Sequence, residues 1–149
     1  MEKKMIIIIP LILFLFGIVG CDDDVLYHEF NATYSYLEEN SAFASIDVSF
    51  EQLHGEIIYS FMTTEKEYKF SYEINIEEGD INIELRDYNG EILEETGWLS
   101  VKEGNLKIDI NEQTNLQGVG GIMMVTNETD RIMIVIDGIE ATGTVKVKW

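Results

Sequence analysis

The sequence has one cysteine, one proline, two histidines and only ten lysines and arginines among its 149 residues. One cysteine cannot close a disulfide within the chain. Ten basic against 28 acidic side chains give a formal charge of −18. Phosphate backbones are gripped by clusters of Lys and Arg, so this balance excludes nucleic acid as a partner. It also argues against a domain lying flat on anionic lipid. Neither His28 nor His54 has a second histidine at metal-ligand spacing, and no G-x-S-x-G nucleophile elbow occurs. Gly118, Gly120 and Gly121 lack the Lys-Ser/Thr that completes a phosphate loop and read as a bend, bulge or tight loop. No long segment repeats its apolar residues at helical spacing. No catalytic set is predicted.

What is present begins with the first 21 residues. Lys3 and Lys4 precede an uncharged run, Met5 to Val19, which is 15 residues long. A bilayer-spanning helix needs about 20, so this run suits the apolar core of a secretory signal. Ile18-Val19-Gly20-Cys21 then resembles the bacterial lipobox: an aliphatic residue, a tolerant position, a small residue, cysteine. The resemblance implies cleavage before Cys21, a diacylglycerol on its thiol carrying acyl chains such as palmitate, and attachment to a bacterial cell membrane facing outside the cytoplasm. Two acyl chains anchor a soluble domain stably. Asp22-Asp23-Asp24 follows at once, which argues against a membrane helix continuing. Removal of residues 1–20 leaves a formal charge of −19. Lipidation would also use the only thiol, which excludes thiol catalysis and cysteine metal sites.

The organisation read from the sequence is a signal peptide over 1–20, a lipidated Cys21 with an acidic spacer over 21–40, and a β-sandwich over 41–149. Within the spacer, His28, Phe30, Ala32, Tyr34 and Tyr36 alternate and predict an opening strand. Tyr68, Phe70, Tyr72, Ile74 and Ile76 alternate with Glu67, Lys69, Ser71, Glu73 and Asn75, the mark of a half-buried strand. A turn at Glu78-Gly79-Asp80 then predicts a hairpin with Ile81, Ile83 and Leu85. Asp87-Tyr88-Asn89-Gly90 predicts a second turn, with Ile92-Leu93 starting the return strand. The continuous apolar runs 122–125 and 132–136 suit central strands covered on both faces. Asp137-Gly138 marks a break before a last strand, 143–149, that pins Trp149 in the sheet. The fold class is all-β, an antiparallel β-sandwich or jelly roll of about eight or nine strands.

From Phe61 to Trp149, GDINIELRDYNGEIL followed by RIMIVIDGIEATGTVKVKW resembles bacterial jelly-roll modules of the pre-peptidase C-terminal type. The shared features are a strand, the Asp87–Gly90 turn, a strand of branched residues and a last strand led by Gly143. The resemblance implies a non-catalytic accessory or binding module. No peptidase domain accompanies it in this sequence.

Two kinds of candidate site residue follow. Tyr88 at a turn tip and Trp98 after Gly97 could stack on a sugar face, although core or ordinary loop packing explains such rings as well. Asp80, Asp87, Asn89 and Glu91 are oxygen ligands in or near turns, of the kind Ca²⁺ takes in numbers. Their other reading is side-chain stabilisation of the turns themselves. No other cofactor is implied. Adjacent acids such as Glu77-Glu78 point to opposite faces of a strand and make no catalytic pair. The expectation is a lipid-anchored binding module for a protein or glycan of the cell envelope. The alternatives are a carboxylate-based hydrolase or its accessory domain, and a protective or inhibitor lipoprotein.

Overall fold

A computed structural model describes residues 27–149, apart from 43, 64, 103–104, 109–110, 113–117 and 127. The signal segment and Cys21 lie outside the described residues. Among the described residues ten strands follow one another: β1 (Tyr27–Thr33), β2 (Tyr36–Ala42), β3 (Ser45–Met62), β4 (Glu67–Asp87), β5 (Ile92–Glu95), β6 (Leu99–Lys102), β7 (Asn105–Ile108), β8 (Asn111–Glu112), β9 (Gly118–Thr126) and β10 (Arg131–Lys148). Every pairing is antiparallel. The all-β expectation holds, and Tyr27–Thr33, inside the stretch read as a spacer, is already a strand of the sheet.

Three strands are far longer than the sequence suggested. β10 lies between β3 and β4 along its whole length. A straight 18-residue strand would run about 60 Å. Yet only residues 63–66 link the end of β3 to the start of β4, which lie at opposite ends of β10. The sheet therefore folds over on itself. One layer holds β2, the first half of β3, the last half of β10, the first half of β4, and β9. The other holds β1, the second half of β3, the first half of β10, the second half of β4, and β5 and β6 along its edge. The two layers make the sandwich, and the three long strands turn its corner.

The corner is where the hydrophobic alternation changes phase. Inward residues in β3 step from Phe50 to Leu53, in β4 from Ile76 to Ile81, and in β10 from Gly138 to Ala141, all buried. Each step is odd, so an unbroken period of two would have turned the second half inside out. Bulges absorb the extra residue, and the register of β10 shifts between Gly138 and Gly143. Gly79 takes φ +83 at this line, and a Cβ there would collide with the carbonyl oxygen of Glu140. Glu78-Gly79-Asp80 is thus a bend within β4, not a hairpin turn. Both halves of β4 pair with β10 rather than with each other. Likewise Asp137-Gly138 is no break, because β10 runs through it.

The core fills the space between layers. Ile46, Val48, Phe50, Val145 and Val147 face Ile57, Phe61, Ile132, Ile134 and Ile136 across it, all within one cluster. Each such side chain contributes about 1.5–3 kcal/mol on burial. Tyr59 is also fully buried. Burial, and then the carboxylate of Glu39 on β2, push its hydroxyl well above the ordinary tyrosine range. The 132–136 run is central, as expected. The 122–125 run is not covered on both faces: Met123 and Val125 are buried, while Ile122 and Met124 are 58% and 69% exposed. Among the described residues β9 pairs only with β4, and the exposed Ile122 and Met124 put its outer face in solvent. The three glycines 118, 120 and 121 lie within β9. Gly121 is a close approach to the ring of Tyr72, not a loop.

Candidate functional site

The outer face of the second layer carries an ordered polar network. Cross-strand register places Glu56, Asp137 and Asn82 in one row over β3, β10 and β4. The next row holds Ile58, Val135 and Glu84, with Glu95 of β5 beyond. The Arg86 guanidinium donates to Glu84 Oε2 at 2.6 Å and to Glu56 Oε1 at 2.8 Å. Asn82 is 1% exposed, and its Nδ2 donates to Glu84 Oε1 at 3.1 Å and to Glu95 Oε2 at 3.2 Å. Thr96 Oγ1 donates to Asn82 Oδ1 at 3.1 Å. The backbone of Thr96 is fixed in turn, because its N–H donates to Ile83 O at 2.9 Å. One chain of hydrogen bonds therefore ties β3, β4 and the segment after β5.

Asp137 sits inside this network without joining it. Among the described residues, its carboxylate accepts no hydrogen bond and forms no ion pair. Burial raises its pKa above the ordinary value, and the charges of Glu56 and Glu84 add to the rise. Arg86 and His54 oppose it. His54 leads to a neighbouring open depression at the corner, lined by Gln52, His54, Glu78 and Glu140. The face thus offers carboxylates, an amide, a guanidinium and a hydroxyl in fixed relative positions.

The residues singled out from the sequence are placed elsewhere, and not all together. Asp87 accepts the backbone N–H groups of Asn89 at 2.8 Å and Glu91 at 2.9 Å on one oxygen, and Asn89 Nδ2 at 3.2 Å on the other. Its carboxylate thereby builds the 87–90 turn, closed by Gly90 N–H donating to Asp87 O at 3.0 Å. Asp80 pairs with Ile139 and Asp87 lies beside Ile132. The two are seven residues, or about 23 Å, apart along β4, and Asp80 instead accepts a hydrogen bond from Ser100. Among the described residues no group of three or more His, Cys, Asp or Glu is arranged to hold a metal ion. Tyr88 is 61% exposed, with the Arg131 guanidinium 5.7 Å from its ring centre. Trp98 is half-buried and precedes Leu99, the partner of Ile81. Register therefore sets the two rings roughly 20 Å apart along β4.

The network itself was missed in the sequence. Glu56, Glu84, Arg86 and Asp137 carry one local signal each: a charged residue next to an aliphatic one in a strand-like stretch. Their convergence depends on pairings across up to 81 positions of chain, between Glu56 and Asp137.

No protein-family model matches the chain, and no curated protein sequence does. Among solved structures, the chain is similar to the carbohydrate-binding module CBM4, with 10% identity and a TM-score of 0.41, over 78% of this chain and 74% of that one. It is similar to TmCBM61, solved in complex with β-1,4-galactotriose, at 14% identity and TM-score 0.39, covering 77% and 86%. It is also similar to CsCBM6-3 from Clostridium stercorarium, solved with cellobiose, at 13% identity and TM-score 0.37, covering 83% and 89%.

Proposed function

We propose that this chain is a non-enzymatic glycan-binding module, held by a diacylated Cys21 on the outer side of a bacterial cell membrane. The observation that carries the binding part is the second-layer face. Asp137 stands unpaired beside the fixed groups of Glu56, Arg86, Glu84 and Asn82. Sugar hydroxyls both donate and accept, and a row of preset carboxylate, amide and guanidinium groups meets both needs. Preorganisation matters, since ordering these side chains on binding would cost affinity. The anchor part rests on the residues Ile18 to Cys21. Modules solved with cellobiose and galactotriose set the first ligands to try. Titration calorimetry with those oligosaccharides tests the reading: a saturable heat that Asp137→Ala removes supports it. Silence across neutral, acidic and amino glycans would end it.

One observation favours a second reading. Asp137, with its raised pKa, lies directly opposite Glu56, which is ion-paired with Arg86 at 2.8 Å. Directly opposed residues have Cβ atoms about 5 Å apart. Two carboxylates at such spacing, one of them with a raised pKa, are the equipment of a retaining glycosidase. Release of reducing ends from an oligosaccharide, abolished by Asp137→Asn, would decide for this hydrolase.

A further inference from the structure

Resting on the diacylated Cys21 of the reading above, we infer that the end of the sandwich opposite the corner seats on the lipid headgroups, with Met62, Tyr88 and Ile92 as its contact. Strand direction and chain length decide which end faces the membrane. β1 enters the sheet at Tyr27, opposite Ser60 of β3, at the end where β3 and β4 finish and β10 begins. Six residue steps separate Cys21 from Tyr27, a span of at most about 22 Å. An acylated Cys21 lies at the bilayer surface, so this end is held within that distance of it. The corner is six residues farther along β1, where Thr33 pairs with His54, or about 20 Å away.

The same end carries a surface that suits lipid. Met62 and Ile92 are exposed there, as Tyr88 is. Register gathers the three: Met62 pairs with Arg131, whose guanidinium stands over the Tyr88 ring, and Ile92 pairs with Arg86. A ring with a polar tip, beside a cation and aliphatic groups, fits the headgroup layer, where tyrosine concentrates. Charge selects the same end. Within three residues of it on the three long strands, and in the links 63–66, 88–91 and 128–130, Lys66, Lys69, Arg86, Arg131, Lys146 and Lys148 stand against seven acids. Those are six of the eight lysines and arginines that follow residue 20. The bends of the same strands, 49–57, 73–84 and 134–145, hold nine acids and no lysine or arginine. Anionic lipid therefore repels the corner and tolerates the near-neutral end. Because the anchor already confines the chain, weak contact suffices to hold this orientation. Asp137 lies six residues along β10 from Arg131, so its row stands about 20 Å out from the lipid, open to a glycan.

The test extracts the acylated chain from cells and reconstitutes it in vesicles of phosphatidylethanolamine and phosphatidylglycerol. Lipidation occupies the only natural thiol, so Glu91→Cys, beside the contact, and Glu77→Cys, at the corner, each accept one fluorescent label. Spin-labelled headgroups should quench the label at 91 several-fold more than the label at 77. The triple variant Met62→Ser/Tyr88→Ser/Ile92→Ser should bring quenching at 91 down to the level at 77, with the chain still bound to vesicles. Equal quenching at 91 and 77 in an acylated, bound chain overturns the seating and leaves the anchor standing. Quenching at 91 that survives the triple variant overturns the assignment to these three side chains. A chain whose mass shows no acyl groups overturns the anchor and this inference with it. The comparison of the two labels decides the seating even if the triple variant does not fold.

Discussion

Phe61 and Trp149 stack with ring centroids 4.7 Å apart and planes 18° apart. Phe61 is in register with Ile132 near the start of β10, and Trp149 lies just past that strand's end. Their contact clasps the two layers shut at the side opposite the corner. Phe70 packs on both rings and Tyr68 on that of Phe61, and the Trp149 backbone N–H donates to Ala44 O at 3.1 Å. Phe61→Ala should therefore cost about 3 kcal/mol, read as a shift in the urea midpoint. A change near zero would show that the layers do not need this clasp.

Gly79 and Gly90 have nearly the same φ, +83 and +84, in different surroundings. A Cβ on Gly90 meets nothing within 4 Å, while one on Gly79 meets the Glu140 backbone. Gly90→Ala should cost about 1 kcal/mol, the left-handed penalty alone. Gly79→Ala should cost roughly 2–4 kcal/mol, because backbone at the corner must also move. Equal melting temperatures for the two variants would contradict the packed corner.

Arg86 is the cation between Glu84 and Glu56, and Glu84 is only 7% exposed. Arg86→Ala should destabilise by about 2 kcal/mol by stranding a buried charge. Adding Glu84→Gln should restore part of that loss. If the double variant is no more stable than the single one in denaturant titration, the pair is not coupled.

Asp137 has a folded-state pKa above its ordinary 3.8, chiefly from burial. Between those two values the native chain binds the extra proton, so stability falls as pH rises through the window. The penalty is absent below the ordinary value and complete above the raised one. Asp137→Asn should remove that decline and be more stable than wild type at neutral pH. Parallel stability–pH curves for the two proteins, measured from pH 3.8 upward, would refute the assignment.

Cys21→Ala should leave the chain unlabelled by radioactive fatty acid and move it out of the membrane fraction of cells. Retention in that fraction would point to a different means of attachment.

Much of the fold is written locally. The alternation of Tyr68 to Ile76 and of Ile81 to Leu85 specifies strands and names their buried faces, because a pleated strand turns successive side chains to opposite sides. The 87–90 turn is legible for the same reason: Asp87 needs only its own neighbours to close it. The sequence by itself thus determined an all-β chain, its core residues, its acidic surface and the expectation of an exported, lipidated N-terminus. Tertiary structure alone decided that Glu67 to Asp87 is one strand. A glycine between two alternating runs is compatible with a hairpin or with a bend, and only the shared partner β10 chooses between them. The same choice aligned Gln52, Glu78 and Glu140 at one corner and brought Arg86 to Glu56. Residues so distant in the chain meet through strand pairing, which no local pattern encodes.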